Sequence, residues 1–215
     1  MVSNSPIDIE GIYNDYLDKK QEENRLNRYS GNESWYHASG SGSCSRKLYF
    51  ESVEQVEATN PIDAKTKRLL RLGNIVHDDF QESLVSYNRD IYNRDNNQDI
   101  SREVEKENKN KEKEIKFHTE QEIKIEELNV RGFYDIVSEG DEVYLYDLKT
   151  CGGYSWKMKF GRKPAFNPSI HYELQLGTYG YAVKQQFGRL DGMFLYYYNK
   201  DTSMMRAVSV PLTYI

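Results

Sequence analysis

Gly132–Thr150, GFYDIVSEGDEVYLYDLKT, reads as a β-hairpin, and the reading of the whole chain turns on it. Ser138-Glu139-Gly140-Asp141 supplies the turn, with Gly140 free to take positive φ. The second arm, Glu142 to Lys149, alternates with a period near two. Val143, Leu145, Asp147 and Lys149 then fall on one face, and Tyr144, Tyr146 and Leu148 on the other. Asp147 and Lys149 lie about 7 Å apart along the strand. Asp135 takes the matching end of the first arm. Two carboxylates and an ammonium at the end of an apolar hairpin are costly to bury without compensation. A divalent cation would satisfy the carboxylates and leave Lys149 facing the anion that the cation binds.

Upstream of the hairpin, Phe117–Ile125 alternates as another strand, with Glu120 and Glu122 on one face and Gln121 and Ile123 on the other. The preceding segment 93–114 is almost devoid of apolar residues and carries charge of both signs, so it reads as a flexible, solvated insertion. Before it, DAKTKRLLRL and NIVHDDFQESLVSY carry helical spacing after Pro61, which suits a first helical turn. Gly73 either breaks that helix or permits a close approach, and His77 lies on it. Residues 8–29 read as a polar helix. Ser30–Ser43 reads as a Ser/Gly loop, with Ser41 or Ser43 capping a helix that starts near Cys44 and carries Arg46 in its first turn.

Downstream, Tyr154–Pro168 reads as a basic-aromatic loop. Lys157, Lys159, Arg162 and Lys163 interleave there with Trp156, Phe160 and Phe166. That pattern suits unpaired nucleic acid, with bases stacked on rings and cations on phosphates; it equally suits a lysine-rich surface whose rings tuck into the core. Ser169–Phe187 reads as a helix that places Gln175 and Tyr179 on one face. Its Gly177 and Gly180 permit close approach. Asp191–Tyr198 and Ala207–Leu212 read as closing strands.

A chain of 215 residues fits one domain with an insertion. Its net charge of −5 does not mark it as a nucleic-acid binder, although local patches still steer ligands. No apolar run approaches membrane-spanning length, and MVSNSPIDIE lacks the basic and apolar regions of a signal peptide. Two cysteines, Cys44 and Cys151, in no CxxC pair, fit a reducing cytoplasm and argue against zinc.

The order of these signals carries more than any one of them. Helical Gly73-x-x-x-His77, Gly132-x-x-Asp135, Asp147-Leu148-Lys149 and Gln175-x-x-x-Tyr179 succeed one another. This succession resembles the PD-(D/E)XK nuclease superfamily, in particular its RecB-like branch of CRISPR-adaptation-type and phage exonucleases, over roughly residues 44–187. Cys44-Ser45-Arg46-Lys47-Leu48-Tyr49 also resembles the Cys-x-Arg-x-x-Tyr segment of that branch. The branch's iron–sulfur members use four cysteines, a number this sequence lacks.

The resemblance implies an α/β (α+β) restriction-endonuclease-like core, a mixed central β-sheet flanked by helices. It divides the chain into an N-terminal helix and loop over 1–43 and a nuclease domain over 44–215. Asp135, Asp147, the Leu148 carbonyl and His77 would hold Mg²⁺ or Mn²⁺, with nitrogen favouring Mn²⁺. Lys149 would act on the water or the phosphate, positioned by Gln175 and Tyr179. Arg46, Arg71, Trp156, Lys157, Lys159, Arg162 and Lys163 would contact DNA, as single strands or duplex ends. The expected activity is metal-dependent DNA exonuclease action in phage or mobile-element recombination or end processing, alongside a recombination partner protein. The alternatives are a non-cleaving DNA-binding module and a structure-specific endonuclease.

Overall fold

The computed structural model describes residues 7–28, 34–56, 60–97, 115–162 and 170–215. A mixed six-stranded sheet carries helices on its faces, as expected. The elements in order are α1 (Ile9–Arg28), β1 (Tyr36–His37), α2 (Ser45–Ser52), α3 (Ala64–Asn97), β2 (Lys116–Ile125), β3 (Val130–Glu139), β4 (Val143–Cys151), α4 (Gly153–Phe160), α5 (Ile170–Phe187), β5 (Gly192–Asn199) and β6 (Met205–Val210).

β3 organises the sheet. β2 pairs antiparallel along the whole of one edge, from Ile125↔Val130 to Lys116↔Glu139. The other edge is shared. β1 lies parallel against its start, at Tyr36↔Val130, and β4 pairs antiparallel with its end, from Glu139↔Val143 to Ile136↔Tyr146. Beyond Tyr146, β4 leaves β3 and continues parallel to β5 as far as Cys151↔Asn199. The sheet therefore forks at Asp135 and Asp147, the residues that follow the last β3–β4 pair.

Of the expected loop over residues 30–43, the described part, residues 34–43, holds more than loop. Tyr36 donates its N–H to the Asn129 carbonyl at 2.9 Å, and a short 3₁₀ turn over Ala38–Gly40 follows. Ala38 is fully buried. Gly132 makes this possible: a Cβ there would stand 2.9 Å from both Ala38 Cβ and Tyr179 Cε1. Nor do Ser41 and Ser43 cap α2. Cys44 takes the N-cap position without a side-chain bond, while Ser41 Oγ is engaged by Thr178 Oγ1 of α5 at 2.9 Å.

α3 is one continuous helix of 34 residues. It starts at Ala64, three residues past Pro61, because Asp63 Oδ1 accepts the Thr66 N–H at 2.7 Å. Gly73 does not break it; a Cβ there would meet Thr150 Oγ1 at 3.1 Å, so its lack of a side chain lets α3 lie close to β4. Helix continues through residues 93–97 of the expected insertion, and residues 98–114 lie outside the described residues. Tyr154–Pro168 is likewise not a loop at its start. Residues 153–160 form α4, and residues 163–168, with Lys163 and Phe166, lie outside the described residues.

The core fills the space between the sheet and α5. Tyr134, Val137, Leu145, Met193 and Leu195 meet Leu176 and Val183, all buried. Gly180 lets Met193 Sδ close to within 2.6 Å of where its Cβ would be. At Gly177 the same space is taken by the Tyr214 carbonyl. Among the described residues no helix is long and apolar enough to cross a membrane.

Candidate active site

The fork gathers the expected constellation. β3 presents Asp135, β4 presents Asp147 and Lys149, α3 brings His77 and α5 brings Gln175 and Tyr179. Asp135 Oδ2 accepts the Leu148 backbone N–H at 2.6 Å, a bond that spans the two diverging strands. His77 Nδ1 lies 3.7 Å from the same oxygen. Lys149 Nζ is 2.5 Å from Asp147 Oδ2 and donates to Gln175 Oε1 at 3.3 Å. Gln175 Nε2 in turn donates to the Tyr179 hydroxyl at 3.2 Å.

Asp147 is 1% exposed, and neither of its carboxylate oxygens has a hydrogen-bond partner in the structure. Its contact with Lys149 is therefore close ion pairing without directed hydrogen-bond geometry. Burial pushes the Asp147 carboxyl above its ordinary range, against the pull of Lys149. Burial, then the charge of Asp147, pushes Asp135 up to about 8. His77 is lowered by burial and then by Lys149, which favours the neutral imidazole. Two desolvated carboxylates therefore stand beside a Lys149 ammonium and an imidazole whose neutral form burial favours, and such carboxylates are costly to leave uncompensated. Among the described residues no three acidic, His or Cys side chains converge as a preformed cage.

Glu120 is part of this neighbourhood and Glu122 is not. Glu120 adopts φ +48, and this single left-handed residue reverses the phase of β2. His118 and Gln121, three apart, both contact α5: His118 packs on Phe187 at 5.2 Å between ring centroids, and Gln186 donates to Gln121. Strict alternation would have placed them on opposite faces. Glu120 is thereby turned to α3, where Gln81 donates to it at 2.8 Å. Its charge reaches Asp135 and His77. Glu122 pairs instead with Lys124 at 3.7 Å. Gln121 and Ile123 thus meet α5 and the core, and Glu120 meets α3 instead.

Tyr172 was not singled out from the sequence. Its ring lies 4.9 Å from Lys149 Nζ. The signal was present as helical spacing, since 172, 175 and 179 recur along one face of α5.

The expected DNA contacts divide. Lys157 and Arg162 are exposed. Trp156 and Phe160 meet edge to face with ring centroids 4.7 Å apart and pack against the core, so they are not free platforms for bases. Lys159 lies over the Tyr197 ring at 4.7 Å. Arg46 lies over Phe50 at 5.6 Å. On α3, Lys67 and Arg68 bind α1 through Asp18 at 2.7 Å and Glu10 at 3.0 Å, while Arg71 lies 3.8 Å from Asp78.

The family model described as the PD-(D/E)XK nuclease superfamily matches residues 34–210. Among solved structures, the crystal structure of SSO0001 superposes with a TM-score of 0.53 at 17% identity, covering 94% of this chain and 80% of that one. The crystal structure of an alkaline exonuclease from Laribacter hongkongensis gives 0.44 at 12% identity, covering 86% and 80%. The first likeness is one of fold. No curated protein matches the chain.

Proposed function

The chain belongs to the PD-(D/E)XK nuclease superfamily, and from that premise we propose that it is a divalent-metal-dependent deoxyribonuclease that digests DNA from ends. The observation that carries this reading is the fully buried carboxylate of Asp147, ion-paired with Lys149 beside the buried Asp135. An arrangement so costly without a cation argues against a non-cleaving module on the same fold.

Asp135 and Asp147 would hold Mg²⁺ or Mn²⁺, joined by the Leu148 carbonyl and, for Mn²⁺, by His77. When bound, the cation supplies Lewis-acid polarisation of the phosphate and of the attacking water. The Leu148 N–H fixes the direction of the Asp135 carboxylate. Lys149 sets a positive charge against the phosphate oxygens, where negative charge grows during attack. Gln175 holds Lys149 from the α5 side, and Tyr179 holds Gln175. Lys157 and Arg162, both exposed, would follow the phosphate backbone. The cellular role proposed with this activity is recombination or end processing of phage or mobile-element DNA.

The test is incubation with end-labelled linear DNA and covalently closed circles, single- and double-stranded, in Mg²⁺, Mn²⁺ or EDTA. Metal-dependent shortening of linear DNA with circles intact is expected. Cutting of circles as readily as linear strands would replace the exonuclease reading with an endonuclease one, and no cutting in any metal would overturn the proposal.

A further inference from the structure

Lys149 stands on β4 beyond the last β3–β4 pair, Ile136↔Tyr146, and opposite Tyr197 of β5. Its side chain is 17% exposed, and its ammonium has three companions of different kinds. Asp147 Oδ2 at 2.5 Å is its counter-ion. Gln175 Oε1 accepts a hydrogen bond from it at 3.3 Å. The centre of the Tyr172 ring lies 4.9 Å from Nζ, inside the range of about 6 Å over which a ring face attracts a cation.

Tyr172 precedes Gln175 by one helical turn and Tyr179 by two, so the three share one side of α5. Its ring packs against the core and meets the His171 ring at 4.6 Å between centroids. Packing therefore fixes where the ring stands. Charge explains why a ring is useful there. A further carboxylate in contact with Lys149 would hold the ammonium but cancel its field at a bound phosphate. A ring face attracts through its quadrupole and carries no net charge. The Gln175 carboxamide is neutral as well.

We infer that Tyr172 is a positioning residue, whose ring face holds the Lys149 ammonium at the fork without neutralising it. This rests on the nuclease reading above. Lysine carries its charge on a flexible four-carbon stem. Electrostatic stabilisation of a transition state depends on that charge being in place before the reaction. Gln175 restrains the ammonium through one directed bond, and Tyr172 restrains it through a face that no proton transfer or counter-ion can saturate.

The experiment grades the ring. The set is Tyr172→Leu, Tyr172→Phe, and Tyr172→Phe carrying one, two or three ring fluorines, which drain the π face and change ring volume little. Melting curves establish folding. Cleavage of end-labelled linear DNA in Mn²⁺ gives kcat and KM, and anisotropy of fluorescein-labelled DNA in EDTA gives binding apart from cleavage. Tyr172→Leu is expected to lower kcat about tenfold, the size of one desolvated cation–ring contact, with KM and DNA affinity little changed. Tyr172→Phe should recover most of that loss, and each added fluorine should forfeit part of the recovery at constant melting temperature. Parental kcat in Tyr172→Leu, equal kcat across the fluorinated set, or Tyr172→Phe as slow as Tyr172→Leu overturns the inference, because a packing residue or a hydroxyl contact would behave in those ways. A second readout needs no catalysis. In EDTA the ε-methylene protons of Lys149, assigned through Lys149→Arg, should resonate upfield of the other lysines from the ring current and lose that displacement in Tyr172→Leu. Absence of the displacement in the parent overturns the inference too. If the parent cuts no DNA in any metal while the displacement is present, the nuclease reading falls and the hold of Tyr172 on Lys149 stands.

Discussion

Asp135 Oδ2 and the backbone N–H of Leu148 are 2.6 Å apart, joined across the point where β3 and β4 separate. One carboxylate thus replaces a ladder bond and aims its remaining acceptor capacity into the fork. Asp135→Asn keeps an oxygen for the Leu148 N–H while removing the charge. We expect it to fold and to lose cleavage by at least about 10²–10³-fold, as should Asp147→Asn and Lys149→Ala. Parental cleavage rates in all three variants would remove the fork from the chemistry.

Stability without metal should run downhill with pH. The Asp135 carboxyl is pushed from 3.8 up to about 8, by burial and then by Asp147, and Asp147 is raised as well. Between those values the folded protein holds more protons than the unfolded chain. Their contribution is therefore full near pH 4 and is lost as pH climbs through about 8. His77, lowered by burial, works the opposite way around its ordinary 6.5. Melting temperatures in EDTA should fall from weakly acidic to weakly alkaline pH, and saturating Mn²⁺ should restore them at the alkaline end. A profile in Asp135→Asn as steep as the parent's would refute this origin.

His77 should discriminate between metals. Burial lowers its imidazole's affinity for a proton, and Nδ1 is 3.7 Å from Asp135 Oδ2. His77→Ala should lower Mn²⁺-supported cleavage more than Mg²⁺-supported cleavage, since Mg²⁺ prefers oxygen ligands. Equal losses in both metals, tracking a lower melting temperature, would mark His77 as a packing residue.

The basic residues after β4 should separate into two kinds. Lys157→Ser with Arg162→Ser should weaken DNA binding and reduce its salt slope, because both side chains are exposed. Lys159→Ser should mainly reduce stability, by about 0.5–1 kcal/mol, because it removes the cation lying over Tyr197. A salt slope unaltered by the first pair would place the DNA elsewhere.

Gly132→Ala tests the seam between β3, the 3₁₀ turn and α5. Its Cβ would stand 2.9 Å from Ala38 Cβ and Tyr179 Cε1. Overpacking of this kind costs about 1–3 kcal/mol. Displacement of Tyr179 should reach Lys149 through Gln175, so the rate constant should fall more than substrate affinity. A melting temperature and rate like the parent's would show that the seam yields freely.

The sequence by itself determined the local elements and the order of the site. Alternation along Val143–Lys149 put Asp147 and Lys149 on one strand, and helical spacing put Gln175 and Tyr179 on one face of α5; both are short-range consequences of backbone geometry. What needed long-range contacts was not legible. Tyr36–His37 is a strand only because β4 departs from the edge of β3 that β1 then takes. Trp156 and Phe160 were equally compatible with base stacking and with core packing until α4 turned them onto the core. Helical spacing put Lys67 and Arg68 on α3, but the acids that hold them come from α1, some fifty residues earlier. Glu120 turns to Gln81 of α3 through one positive φ that its residue type does not require, so alternation along β2 could not foretell it.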